Sequence, residues 1–374
     1  MNGLILCTKE CNLRCKYCFE ESMHDGCMQS ANEIKQNFSV FLDKYFDKFI
    51  TELIAINNSL GRKETDVTFH GGEPLLVGAE LLEKGFQMVN KHPNTTIGIQ
   101  TNATLITEEI INLFKKYDIR VGVSIDGPQH IHDAYRHSIA KKGSFEKVYN
   151  NIRKMQHEKV FVGALATVTD ITVKTPEEFY KFFRDNKLDF SFNPCFTDPN
   201  QPSSYNVLNV NEYIEFYKQM FDLWINDEDS ELPITCFDRI ISAMSVKSSP
   251  YMEVCTFIPD CSRTTVAINT DGEFYRCLHY CMDRKNMIGH LEYDNLKKAL
   301  GDTCFSKRWS VMKTKECANC DIQEFCCGGC PYVSESLNGD IISRPDTCVS
   351  QQAIVHYIYE YLSTFIKFGR SDEK

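Results

Sequence analysis

The chain has 374 residues, 43% of them hydrophobic, which suffices for one large α/β domain plus a smaller appendage and excludes wholesale disorder. A formal net charge of −10 argues against a nucleic acid as main partner, since a phosphate backbone needs a basic footprint, and leaves a small molecule or a peptide. The first apolar run, Met1 to Cys7, meets Lys9 and Glu10 too soon for a signal peptide or a membrane span, so a cytoplasmic protein without a membrane partner is expected.

Taken in chain order, six short runs rich in β-formers read as buried strands: Gly3–Cys7, Asp66–His70, Thr96–Gln100, Arg120–Ser124, Val160–Thr167 and Asp189–Asn193. Between them, Ile34, Phe38, Phe41, Leu42, Phe46, Ile50 and Leu53 recur at helical spacing, as do Phe145, Val148, Ile152 and Met155 and, later, Tyr213, Phe216, Met220 and Leu223. Six strand–helix units predict an α/β fold: a parallel sheet curved into a partial (β/α)6 barrel, with function at the carboxyl ends of its strands.

Asn226 to Pro233 is charged and turn-forming, which sets a domain boundary between residues 1–232 and 233–374. Beyond it lie a short helix (Arg239–Val246), a hairpin (Thr264–Ile268 and Glu273–Arg276 around Asn269 to Gly272), Cys-rich loops and a last helix, Gln351–Phe368.

The cysteines carry the chemistry. Of the 18, 11 fall between Cys255 and Cys348 and three more at Cys11, Cys15 and Cys18. Cytosolic thiols stay reduced, so such clustering points to metal binding or catalysis rather than disulfides or core filling. Cys11, Cys15 and Cys18 sit on the loop that follows the first strand. Three thiolates on one tight loop hold three irons of a [4Fe–4S] cube and leave the fourth iron open. His70-Gly71-Gly72-Glu73-Pro74 follows the second strand, where paired glycines admit close backbone approach and a carboxylate binds an ammonium; a plain turn is the bland alternative.

These two loops resemble the radical SAM (S-adenosylmethionine) superfamily, with its Cx3CxΦC loop after the first barrel strand and GGE after the second. The resemblance implies that SAM chelates the open iron, that Glu73 and the backbone of Gly71 and Gly72 hold its amino group, and that Tyr17 lies near its adenine. The segment from Ser124 through Asp126 to Arg136 is similar to one whose Ser, Asp and Arg contact the ribose and carboxylate of SAM; a capped turn with a surface Arg competes. Gln100 and Asn102, after the third strand, face the same cavity by topology, or form only a polar turn.

Cys261-x10-Gly272-x4-Cys277, then Cys317-x2-Cys320-x5-Cys326-x3-Cys330, then Cys348, match the SPASM extension of such proteins, with a pair of zinc sites as rival. The resemblance implies two auxiliary [4Fe–4S] clusters, three in all: Cys255, Cys261, Cys277 and Cys330 around the inner one, and Cys317, Cys320, Cys326 and Cys348 around the outer. Cys281, Cys304 and Cys327 remain over, with Cys281 or His279 a candidate to face substrate, and Cys7, Cys27, Cys195 and Cys236 read as plain thiols.

Proteins of this resemblance act on a peptide or protein substrate and take electrons from a flavodoxin- or ferredoxin-type donor. Size and Cys layout are similar to the branch that converts a sulfatase Cys or Ser to formylglycine. That branch has an Asp directly after the third auxiliary cysteine as proposed base, whereas Leu278 follows Cys277, and neither His279 nor Asp283 has the right offset. The expectation is therefore a peptide-modifying oxidoreductase that forms a thioether or other crosslink in a ribosomally made peptide, with sulfatase maturation second. With ten residues before Cys11 there is no room for a leader-binding domain, so a separate leader-binding protein, or the enzyme's own surfaces, would read the peptide.

Overall fold

The computed structural model describes residues 1–18, 29–195, 208–229, 231–245, 258, 260–301, 304–345 and 347–369. The chain divides into two compact units interleaved along the sequence: residues 1–165 with 262–304, and residues 166–261 with 305–374.

The first unit is a sheet with helical crossovers. Its strands are β1 (Asn2–Leu6), β2 (Thr65–His70), β3 (Thr95–Thr101), β4 (Arg120–Ser124) and the first part of β5 (Val162–Val168), all parallel, in the order of the chain. Register is set by the apolar partners: Gly3 pairs with Val67, Val67 with Ile97, Ile99 with Val121, and Val121 with Val162. Alternate residues bury on one face, as Thr65, Val67 and Phe69 do in β2 while Asp66, Thr68 and His70 are half-buried, because successive side chains point to opposite sides.

The long helical stripe of the sequence is α1 (Ala31–Phe41) and α2 (Asp47–Ser59), joined by a π-helical turn, Leu42–Phe46. A regular 3.6-residue stripe does not announce that wider turn. It buries Tyr45 and Phe46 together, and it sends Lys44 to Glu292 at 2.9 Å. The other crossovers are α3 (Ala79–Asn90), α4 (Glu108–Lys116), α5 (Gln129–Tyr135) and α6 (Phe145–His157). Phe69, from β2, meets Phe86 of α3 edge to face at 5.0 Å, at the centre of an aromatic core with Phe38 and Phe46.

Sequence periodicity places the hairpin beyond the domain boundary, yet it extends this first sheet. β6 (Phe190–Pro194) belongs to the second unit. β7 (Thr265–Ile268) pairs in parallel with β1, then β8 (Glu273–Tyr275) and β9 (Gly289–His290) follow antiparallel. Alternation identifies a hairpin but not the edge that receives it. A short helix, α10 (Leu296–Gly301), completes this unit, its first amide donating to Glu52 at 2.6 Å.

The second unit holds β6 and α7 (Pro176–Asp185), α8 (Val210–Ile225), α9 (Thr235–Ser245), α11 (Cys304–Thr314), α12 (Gln323–Cys326), α13 (Pro331–Asn338) and α14 (Cys348–Gly369). Aromatics form its core: Phe183 stacks on Phe190 at 4.1 Å, and Phe221 of α8 meets Tyr361 of α14 at 5.4 Å. The polar turn that reads as a boundary is stitched inside this unit, where Asp227 pairs with Arg184 and the Trp224 indole donates to the Leu232 carbonyl at 2.9 Å. No helix among the described residues is long and apolar enough to cross a membrane.

Candidate active site

Where β1 ends, its chain runs straight into the Cys loop, and the loop after β2 lies against it. Cys7 N–H donates to the His70 carbonyl, Gly72 N–H to that of Thr8 and Glu73 N–H to that of Glu10, each at 2.9 Å. A Cβ on Gly71, whose φ is +118°, would stand 2.3 Å from the Thr8 oxygen, and one on Gly72 2.2 Å from the Glu10 oxygen. The two glycines are therefore required by the close approach of the chain's own Cys loop, a nearer reason than the approach of a ligand. On its other side the loop runs beside residues 135–138: Arg14 N–H donates to His137 at 2.7 Å and Lys16 N–H to Tyr135 at 3.0 Å.

Pinned on both flanks, the loop presents Cys11, Cys15 and Cys18 half-buried. The Cys11 sulfur receives Leu13 N–H at 3.4 Å and the Asn102 amide at 3.7 Å. Burial pushes the Cys15 thiol up to about 12, against the pull of the adjacent Arg136 guanidinium. A metal would reverse that balance, because it binds the thiolate.

Glu73 is fully buried at 0% exposure, and its carboxylate accepts from Leu75 N–H at 3.0 Å, the Thr101 hydroxyl at 2.7 Å and Asn102 N–H at 2.8 Å. Desolvation outweighs these donors and raises its pKa to about 7. A ligand ammonium at this carboxylate would restore its charge. Gln100 donates to Ser124 at 3.1 Å, so those two candidates hold each other at the ends of β3 and β4.

The buried Asp126 and Arg136 and the half-buried Tyr17 form one group. Arg136 grips Asp126 with two bonds, Nε at 2.9 Å and Nη2 at 3.0 Å; the Tyr17 hydroxyl donates to the same carboxylate, and the guanidinium lies 5.3 Å from the Tyr17 ring centre. Burial opposes ionisation of Asp126, but Arg136, His132 and the Tyr17 hydroxyl together hold it below the usual carboxylate range. Arg136, which the competing reading puts on a surface turn, is 8% exposed.

Four participants escape the sequence reading. His132 is wholly buried, with Nδ1 accepting from Asp126 N–H at 3.3 Å and Nε2 2.9 Å from the Ser144 hydroxyl; burial lowers its pKa to about 4, so it stays neutral. Asn12 donates to Thr104 at 2.8 Å and accepts from Asn102 at 3.0 Å, tying the Cys loop to the end of β3. Tyr135 stacks on Tyr17 at 5.6 Å. Asn12 and Thr104 give no signal, being spacer positions, and His132 and Tyr135 look like surface residues of a short helix.

In the second unit, Cys317, Cys320, Cys326 and Cys348 line one small cavity and interact electrostatically with one another. Cys261 and Cys330 both lie close to the buried Arg308. Cys277 belongs to the first unit, and Cys255, like Cys27, falls outside the described residues. Leu278 is buried beside Cys277 on a short 3-10 turn with Cys281, whose thiol donates to the Cys277 carbonyl at 3.6 Å; His279 on that turn is exposed, and Asp283 is taken up by Lys285. Cys327 is buried with a left-handed backbone at the end of α12. No disulfide joins the described cysteines, and no three of their His, Cys, Asp or Glu side chains converge as the ligands of a single metal ion do.

The sequence profile of the Radical SAM superfamily matches residues 5–185. A cysteine-type anaerobic sulfatase-maturating enzyme of Clostridium novyi is 32% identical over 336 residues, 86% of this chain and 85% of the relative. A serine-type counterpart from Bacteroides thetaiotaomicron is 29% identical, covering 88% of this chain and 82% of that one. Among solved structures, native anSMEcpe with bound AdoMet superposes with a TM-score of 0.79 at 25% identity, covering 97% of this chain and 98% of that one. Streptococcus suis SuiB bound to its precursor peptide SuiA shares the fold at a TM-score of 0.63 and 15% identity, over 92% and 75% of the two chains.

Proposed function

This chain belongs to the radical SAM superfamily, and within it we propose an anaerobic sulfatase-maturating enzyme that oxidises a Cys or Ser side chain of a sulfatase to formylglycine. One observation carries this reading: relatives so named match nearly end to end, at 32% identity over 86% of the chain. The ranking drawn from Leu278 alone, with peptide crosslinking first, is thereby reversed.

In this reading residues 1–232 carry SAM cleavage and 233–374 the auxiliary clusters. Bound at the N-terminal loop, a reduced [4Fe–4S] cluster and SAM supply a 5′-deoxyadenosyl radical that takes a hydrogen atom from substrate. The residues present suit that group: three thiols on a pinned loop, all half-buried, with a buried carboxylate and a buried guanidinium behind them. Cys11, Cys15 and Cys18 would hold the iron, Glu73 would meet the SAM ammonium, and Tyr17 with the Asp126–Arg136 pair would fix the Cys15 side of the loop. Cys317, Cys320, Cys326 and Cys348 would bind an outer auxiliary cluster, and Cys255, Cys261, Cys277 and Cys330 an inner one. A flavodoxin- or ferredoxin-type protein would deliver the electron. Leu278 carries no proton acceptor, so the substrate proton leaves to another group.

Leu278 also favours one second reading, a crosslinking peptide maturase, in which the substrate's own thiol or ring meets the radical. The test is incubation of the reconstituted enzyme, SAM and reductant with sulfatase-derived peptides bearing Cys or Ser, followed by hydrazine trapping and mass spectrometry. A trapped aldehyde is expected. A product about 2 Da lighter that gives no hydrazone, as loss of two hydrogens in a crosslink requires, would overturn the proposal in favour of the second reading.

A further inference from the structure

Among the described residues, the polar lining of the four-cysteine cavity is amide and cation, with no carboxylate. Cys317, Cys320, Cys326 and Cys348 share it with Gln323, Gln351, Gln352 and Arg344. The Gln352 amide nitrogen donates to the Cys320 sulfur at 3.1 Å. Gln351 presents its carbonyl oxygen to the Cys326 sulfur, also at 3.1 Å, an arrangement that holds only while that thiol keeps its proton. The amide oxygen of Gln323 is buried with no hydrogen-bond partner.

An orphaned buried amide oxygen is costly, and a native protein retains one where a further group is to be met. Turning a side-chain amide by half a rotation exchanges oxygen for nitrogen at almost no change in shape. With thiolates in the cavity, Gln351 and Gln323 so turned present their nitrogens, and Gln352 already donates as it stands. Two further features point the same way. α14 begins at Cys348, directing the positive end of a 22-residue helix at the site. The Arg344 and Arg308 guanidiniums lie near Cys317, and Arg308 is held under the Cys326–Cys330 loop by bonds to the carbonyls of Gly328 at 2.7 Å and Gly329 at 3.1 Å.

We propose that Gln323, Gln351 and Gln352 form an N–H···S cage that raises the reduction potential of the centre bound by Cys317, Cys320, Cys326 and Cys348 above that of the N-terminal centre. Hydrogen bonds to sulfur and nearby positive charge stabilise the more negative, reduced state. At the N-terminal loop the Cys11 sulfur receives Leu13 N–H at 3.4 Å and the Asn102 amide at 3.7 Å, both longer than the 3.1 Å contacts of the cavity, and Cys15 lies near both the Arg136 guanidinium and the Asp126 carboxylate paired with it, so that pair brings little net charge. The step concerned is a one-electron transfer: a carbon-centred substrate radical is oxidised as its proton leaves, the centre is reduced, and no metal–sulfur bond breaks. Of those two centres, the outer one would then keep the electron.

This inference rests on reading the four cysteines as a [4Fe–4S] site. The experiment is a potentiometric titration of the reconstituted full chain, followed by electron paramagnetic resonance, on wild type and the triple variant Q323L/Q351L/Q352L. At fixed potential the variant's outer centre should show at least a tenfold lower reduced-to-oxidised ratio, a shift of 59 mV for one electron, at unchanged iron content. Unchanged potential at unchanged iron overturns the cage. Should the triple variant lose iron, Q352L and Q352E alone decide: the potential must fall from Gln to Leu and further to Glu, and any other order overturns it. Absence of an outer-centre signal in wild type would instead sink the cluster reading itself.

Discussion

The N-terminal thiols hang on a loop braced by the strand ends on either side, whereas the C-terminal thiols sit at the end of α12, at the start of α14 and in the turn after α11. In the first unit, backbone bonds from Cys7, Gly72, Glu73, Arg14 and Lys16 shape the loop without help from a metal. In the second, the cysteines themselves belong to the local core: Cys326 packs with Ile322 and Val355, with Cys320 and Phe325 against them. The first arrangement leaves three ligands and a ring of polar partners, which suits a ligand that binds and leaves. The second supplies four ligands in one cavity, which suits a permanent group whose binding energy is also folding energy.

The largest expected effect separates the two sites chemically. Reconstituted wild type should hold about twelve irons, three cubes of four. Replacing Cys11, Cys15 and Cys18 by Ala should leave about eight and abolish conversion of SAM to 5′-deoxyadenosine. Replacing Cys317, Cys320, Cys326 and Cys348 should also leave about eight, yet spare SAM cleavage driven by a strong reductant. Iron assay and product chromatography read both, and loss of SAM cleavage in the second variant would break the comparison.

Removing iron from wild type with a chelator sharpens it. Hydrogen exchange should rise in residues 317–352, where the thiols serve as core, while amides of β1 to β4 stay protected. Uniform deprotection of both regions would show that the sheet depends on metal as well.

Next comes the buried pair behind the loop. Arg136→Met leaves Asp126, whose side chain is 1% exposed, without its partner, at a cost of about 3–5 kcal/mol. Adding Asp126→Asn should recover part of that loss, as denaturant titration of the apoprotein will show. An equal or larger loss in the double variant would mean that packing, not charge, holds this group.

Much of this organisation was legible in sequence and some was not, for physical reasons. Strand positions and the two loops at their ends follow from alternation and from residue chemistry with fixed spacing. Partners across the fold do not: the hairpin's attachment beside β1, the π-helical turn at Leu42–Phe46 and the grip of Arg136 on Asp126 depend on which surfaces meet in space. Asn12 and Thr104 are silent because any small polar residue fits a spacer position. Glu73 reads in sequence as a ligand's partner, yet its nearest duties are to Leu75, Thr101 and Asn102.

Burial, working against those three donors, makes Glu73 titrate within reach of ordinary buffers. Its folded pKa, about 7, lies above the ordinary glutamate value of 4.5, so its contribution to stability is present at low pH and is lost as pH rises through 7. The shift corresponds to about 3 kcal/mol between pH 4 and 8. Glu73→Gln removes this titration. The stability of wild type relative to the variant should fall by that amount across the range, and added SAM at pH 8 should restore part of it if an ammonium meets the carboxylate. A flat difference would assign the titration elsewhere.

The smallest effect concerns Asn12, the side-chain tie between the Cys loop and β3. Its amide donates to Thr104 and its oxygen accepts from Asn102, both part-buried. The backbone bonds on either flank stay intact when the side chain is cut, so Asn12→Ala should cost only the two lost hydrogen bonds, about 1–3 kcal/mol. The more telling readout is at Cys11, because Asn102 contacts both Asn12 and the Cys11 sulfur. Released from Asn12, the Asn102 amide can turn away from that sulfur, which should alter the resonance spectrum of the N-terminal centre with iron content unchanged and the outer centre's signal unmoved. A shift in the outer centre's signal would mean that the two sites are not built independently. A spectrum unchanged at both would mean that the backbone brace alone sets the environment of Cys11.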